Sequence, residues 1–135
     1  MKPGTADYLA KAKECLDAAR KVIAIQLPAV AAKEAYLAAC HAAQAFVFEA
    51  TRKAAKTHSF MPTLFARVAK DDLRIDPAFA FRLANTYKYK EIADYAVGTQ
   101  SVVTMPEAEE VIDIAARFTD TIRYLLPSCS PPDQP

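Results

Sequence analysis

Two histidines, His41 and His58, and three cysteines, Cys15, Cys40 and Cys129, are the side chains of this 135-residue chain best suited to chemistry near neutral pH. Histidine titrates close to neutrality and can serve as a general base. His41, however, stands on an alanine-rich apolar stripe with no third or fourth ligand type at helical spacing. It reads as a hydrogen-bonded core residue, and no metal or cofactor is expected. The cysteines are odd in number and scattered without a CxxC, which argues against a disulfide framework or a zinc site. Cys40 should pack as a small hydrophobe. Tyr36, Tyr87, Tyr89 and Tyr95 could line a pocket that stacks a nucleobase, but for most of them a boundary position, with an apolar body and a wet hydroxyl, is the better fit. Lys90 and Asp94 are spaced i,i+4 and should form a surface pair, with Tyr95 half-buried beside them. The basic run Arg52-Lys53-Ala54-Ala55-Lys56 suits a helix C-terminus, where cations complement the dipole.

Composition narrows the partners. Hydrophobic residues make up 53% of the chain and mean hydropathy is near zero, so a globular domain with a respectable core is expected. Net charge is +1, from 17 basic and 16 acidic residues. That balance creates no broad field for nucleic acid or an anionic membrane, so any RNA or nucleotide binding must come from a local site. Met1-Lys2-Pro3-Gly4 leads straight into a charged, periodic segment, and no signal peptide is expected. The longest uncharged run, Ala35 to Phe48, is too short to span a bilayer. The expected location is the reducing cytoplasm, with no membrane partner.

The elements that must position these side chains are marked by proline, which is tolerated in a first helical turn and excluded from a helix interior. Prolines 3, 28, 62, 77 and 106 each open a segment with helical spacing. Period-two alternation is missing, so strands are not expected. Helix 1 is predicted from about Thr5 to Leu27, with Tyr8, Ala12, Cys15, Ala19, Val22 and Ile23 on its apolar face. Helix 2 runs from Pro28 to about Lys56, helix 3 from Pro62 to about Lys70, and helix 4 from Pro77 to Val97, capped by Gly98. Helix 5 opens at Thr104-Met105-Pro106-Glu107, a capping box, and ends at Leu126. Residues 127–135 read as a disordered tail. The fold expected for residues 1–126 is all-α, an up-and-down bundle of about five antiparallel helices in one domain.

Helix 2 carries the most information. At about 100° per residue, Tyr36, Ala39, Cys40, Ala43 and Val47 form one stripe. Leu37, His41, Gln44 and Phe48 form a second, about a quarter turn away. Two apolar stripes predict a helix buried on more than one side, central in the bundle or at a dimer interface.

The run Ala35-Tyr36-Leu37-Ala38-Ala39-Cys40-His41-Ala42-Ala43 resembles the second-helix signature of HEPN domains, in their branch of small uncharacterised bundles. Two further matches follow in order. Lys56-Thr57-His58 resembles the lysine–histidine loop after that helix, and Ile92-Ala93-Asp94-Tyr95 resembles an alanine–aspartate–tyrosine run on the fourth helix. The resemblance covers roughly residues 5 to 126. It implies a bundle that is commonly homodimeric and often encoded beside a small nucleotidyltransferase, as a toxin–antitoxin or nucleotide-binding pair. It also implies, for many members, a metal-independent ribonuclease using a closely spaced arginine and histidine.

In that chemistry a base deprotonates the ribose 2′-hydroxyl while a fixed cation stabilises the phosphorane. The branch places its arginine three residues before the alanine–aspartate–tyrosine run, which is Lys90 here, and its histidine at the position of Tyr95. Lysine loses the bidentate geometry, and a tyrosine phenol, which ionises near about pH 10, is a poor base at neutrality. Arg52 and His58 are separated by five residues and satisfy the spacing, but they fall at the end of helix 2 and in the loop beyond it. The leading expectation is a non-catalytic, homodimeric module that binds a nucleotide or RNA end, or docks a nucleotidyltransferase. Its candidate ligand-binding residues are Lys90, Asp94, Tyr95, Tyr36 and His41. The alternatives are a ribonuclease built on Arg52 and His58, and a purely structural helical adaptor.

Overall fold

Each predicted proline does open a helix. The computed structural model describes residues 1–51, 61–70, 72–98 and 102–126. Five helices succeed one another, α1 (Pro3–Ala24), α2 (Pro28–Thr51), α3 (Met61–Ala69), α4 (Pro77–Tyr95) and α5 (Met105–Leu125). The chain is all-α, a helical bundle, with no strand among the described residues. The predicted tail, and Arg52 and His58 with it, lies outside them.

The helix starts are fixed locally. Asp76 caps α4 by accepting from the Ala78 amide at 2.9 Å. Thr104 and Glu107 close the predicted capping box, with the Thr104 amide donating to Glu107 Oε1 at 2.9 Å and the Glu107 amide to Thr104 Oγ1 at 3.2 Å. The first turn of α1 lacks a cap of its own. Glu49, near the far end of α2, supplies one by accepting from the Lys2 amide at 2.9 Å and from the Thr5 hydroxyl at 2.7 Å. The Lys2 ammonium donates to the Glu49 carbonyl as well. Gly4 completes this seam, because a Cβ there would lie 2.5 Å from the Phe48 ring.

Two helix ends differ from expectation. α1 stops at Ala24 rather than Leu27, because Gln26 takes a left-handed conformation with φ 64°. Its amide donates to Ile23 O at 3.0 Å and the Leu27 amide to Val22 O at 3.3 Å, the bonding of a Schellman cap. α4 stops at Tyr95, where Ala96 turns extended. Gly98 does adopt positive φ (63°), but beyond the cap rather than within it.

α2 is the central helix, packed against α1, α3, α4 and α5. Tyr36, Ala39, Cys40, Ala43 and Val47 are buried as predicted. The second buried side is not the Leu37, His41, Gln44 and Phe48 stripe, which is only half-buried. It is formed instead by Ala31, Ala35, Ala38, Ala42 and Ala45, whose small side chains let neighbouring backbones approach. The face of α1 is rotated likewise. Thr5, Leu9 and Leu16 join Ala12, Cys15 and Ala19 in the core, while Tyr8, Val22 and Ile23 sit at its margin.

A chain of edge-to-face aromatics ties the remaining helices to α2. Phe46, Phe65, Phe118 and Phe79 follow one another at 5.5, 5.2 and 5.6 Å between ring centroids, linking α2, α3, α5 and α4. Such pairs contribute about 0.5–1.5 kcal/mol each beyond burial. α4 and α5 both rest on α2 and meet at Phe79 and Phe118 with little other contact, so a groove opens between them.

Candidate functional site

Lys90, Asp94 and Tyr95 occupy the last turns of α4, which run back over the first turns of α2. That antiparallel crossing brings in a residue the sequence reading missed. Lys33 of α2 donates to Asp94 Oδ1 at 2.6 Å, while Lys90 donates to Asp94 Oδ2 at 2.8 Å. One carboxylate thus holds two ammonium groups from two helices. The hydrogen bonds from Lys33 and Lys90 keep the Asp94 carboxyl below its ordinary range, and Asp94 in turn raises Lys90. The expected Lys90–Asp94 surface pair is therefore part of an interhelical bridge. The Lys90 ammonium also lies 5.8 Å from the centre of the Tyr95 ring, a cation–π distance. Tyr95 is 73% exposed rather than half-buried, because the helix ends there.

The other proposed ligand residues do not join this cluster. Tyr36 is completely buried and packs edge-to-face on Tyr87 at 5.5 Å. Its hydroxyl is hydrogen-bonded to the Cys40 thiol, and burial raises both groups, Cys40 to about 12. A ligand cannot reach Tyr36 without opening the core. His41 is half-buried on the side of α2 facing Lys11 and Glu14 of α1, and its Nδ1 lies 2.6 Å from Gln44 Oε1. Burial lowers its pKa and so favours the neutral ring. Tyr36 is thus neither a pocket wall nor a boundary residue with a wet hydroxyl, because the whole side chain lies in the core. Its role as a ligand contact is corrected by its burial. Arg52 and His58 lie outside the described residues, and so does the Lys56-Thr57-His58 motif.

The second polar surface lies on the opposite edge of α4. Arg82, Asn85, Thr86 and Tyr89 fall at i, i+3, i+4 and i+7, one helical stripe, and with Lys88 they face Glu110, Val111 and Ile114 of α5. The groove between them encloses about 310 Å³. Thr86 and Tyr89 are buried, while Arg82, Asn85, Lys88 and Glu110 reach solvent. The Thr86 hydroxyl is satisfied by the Leu83 carbonyl at 2.8 Å, and the Lys88 ammonium lies 5.1 Å from the Tyr89 ring centre. This stripe could have been found in the sequence as polar residues recurring at helical spacing on an otherwise packed helix.

Among the described residues no group of three histidine, cysteine or acidic side chains could hold a metal ion. No described helix is long and apolar enough to cross a membrane.

The sequence model of the HEPN domain family matches residues 5–125, nearly the whole chain. The chain belongs to the HEPN domain family. No curated protein matches it closely enough to add a named relative. Within the HEPN bundle, then, α4 presents two polar edges of opposite character. On one, Asp94 ties up both lysines, and the other is open toward α5.

Proposed function

We propose that this HEPN chain is a non-catalytic module that works as a homodimer in the cytoplasm and binds a nucleotide or the end of an RNA strand. The observation carrying the reading is the commitment of Lys90 to Asp94. In the branch the sequence resembles, Lys90 stands where nuclease members place the phosphate-binding arginine, and Tyr95 where they place the histidine. A lysine bonded to a carboxylate that it shares with Lys33 is not free to turn onto a developing phosphorane, and it lacks the bidentate fork of arginine. Tyr95 is a phenol at the place where the reaction needs an imidazole. The free, buried Cys15 and Cys40 suit a reducing compartment.

Docking of a small nucleotidyltransferase is supported by a different observation. Ile25, Leu27 and Val30 around the α1–α2 turn, and Tyr95, Val97 and Val102 at the end of α4 and the approach to α5, are all exposed large hydrophobics. The antiparallel helices put both groups at the same end of the bundle, which supplies an apolar surface for a partner chain or a second copy.

Nucleotide titration of the purified protein, paired with a metal-free RNA degradation assay, tests the proposal. Binding without cleavage supports it. Degradation of RNA that disappears in His58→Ala would establish the ribonuclease alternative instead.

A further inference from the structure

The two edges of α4 differ in what their cations are doing. Lys33 and Lys90 are both held by Asp94. On the α5 side, neither Arg82 nor Lys88 makes an ion pair within 4.0 Å among the described residues. These two open cations stand on the wall of a concave groove of about 310 Å³. Such a volume lies at the lower end of the about 300–1,000 Å³ of small-molecule sites. A concave wall brings their fields together on whatever enters.

The chemistry of the lining is specific. Arginine presents a planar fork matched to phosphate oxygens, and lysine adds a mobile point charge. Asn85 lies one turn beyond Arg82 and supplies both an amide donor and an acceptor. Glu110 faces them from α5. Its carboxylate disfavours a bare anion filling the whole groove, because it has nothing to accept from one. It favours a ligand whose phosphate is followed by hydroxyl or amino donors. A ribonucleotide has that order of groups, a phosphate and then vicinal hydroxyls.

We infer that the α4–α5 groove binds the phosphorylated end of a ribonucleotide, with the phosphate on Arg82 and Lys88 and the ribose hydroxyls donating to Glu110. The inference rests on the proposed nucleotide-binding role and places it away from the Lys90 cluster. A free nucleoside monophosphate and the 5′ end of an RNA strand share the 5′-phosphate and the ribose 2′-hydroxyl, while only the free nucleotide keeps the 3′-hydroxyl beside it.

Calorimetric titration of the full chain separates the outcomes, using 5′-AMP, 5′-dAMP, inorganic phosphate and a short 5′-phosphorylated single-stranded RNA as probes. AMP is expected to bind more tightly than either dAMP or phosphate. Arg82→Ala and Lys88→Ala should each weaken AMP about tenfold or more, as expected for charged hydrogen bonds. Glu110→Ala should erase the preference for AMP over dAMP, and Lys13→Ala on α1 should change nothing. Tighter binding of the RNA than of AMP assigns the site to a strand end, and equal binding assigns it to the free nucleotide. A loss confined to Lys90→Ala, with the Arg82 and Lys88 variants binding as the parent, overturns the groove and leaves nucleotide binding standing. Failure of every probe to bind the parent overturns both.

Discussion

Lys33 on α2 and Asp94 on α4, 61 residues apart in sequence, meet at 2.6 Å and pin the end of one helix to the start of the other. Lys90 completes the bridge from within α4. Exposed ion pairs contribute about 0.2–1 kcal/mol each. These side chains are less than a third exposed, at 31%, 21% and 18% for Lys33, Asp94 and Lys90. Asp94→Ala should therefore destabilise the bundle by about 1 kcal/mol, since it leaves two ammonium groups facing each other. Lys33→Ala should cost less, because Lys90 keeps Asp94 partnered. Urea unfolding at neutral pH checks the order. Equal effects of the two variants would mean that the bridge does not act as a unit.

The clamp at the α1 start should make stability depend on pH. The Lys2 amide and the Thr5 hydroxyl hold the Glu49 carboxyl below its ordinary range. A depressed carboxylate adds stability that is fully present above its unfolded pKa, about 4.3. That stability is lost as the pH falls through the lower folded value. Asp94 acts in the same direction. Glu49→Ala should cost about 1 kcal/mol at pH 7, as loss of a helix cap does. Glu49→Gln should flatten the acid limb of a stability–pH curve measured in urea. An unchanged acid limb would show that Glu49 is not the group titrating there.

Gln26 holds a left-handed conformation that favours glycine. Gln26→Gly should raise stability by about 0.5–1 kcal/mol, and the thermal midpoint should rise with it. A lower midpoint would indicate that the glutamine side chain makes a contribution larger than the backbone strain.

Thr119 carries a buried hydroxyl with no hydrogen-bond partner among the described residues. Thr119→Val keeps the shape and removes the unsatisfied group, so it should stabilise the bundle by about 1 kcal/mol in chemical denaturation. Destabilisation would mean that the hydroxyl is bonded in solution.

Local chemistry was legible in the sequence. Pro3, Pro28, Pro77 and Pro106 sit at helix starts, and Thr104 with Glu107 forms a box within four residues of chain. α1 ended early because glutamine, not glycine, supplied the left-handed residue, and a non-glycine C-cap leaves no mark in composition. The second buried side of α2 was missed because it is made of alanines, whose burial follows from close backbone approach and not from polarity contrast. Lys33 escaped for a tertiary reason, since only the antiparallel crossing of α2 and α4 brings it to Asp94. Tyr36 read as a base-stacking candidate because residue type does not distinguish a buried phenol from a pocket wall. Its packing on Tyr87 and its bond to Cys40 decide the matter.

The central claim, a HEPN module that binds without cutting, is tested most directly by incubating the purified chain with 5′-phosphorylated single-stranded RNA in the absence of metal. Retention and integrity of the RNA should be followed together. A retained, full-length strand is expected, with retention reduced in Arg82→Ala. Progressive shortening of the RNA by the parent protein, abolished in His58→Ala, would contradict it.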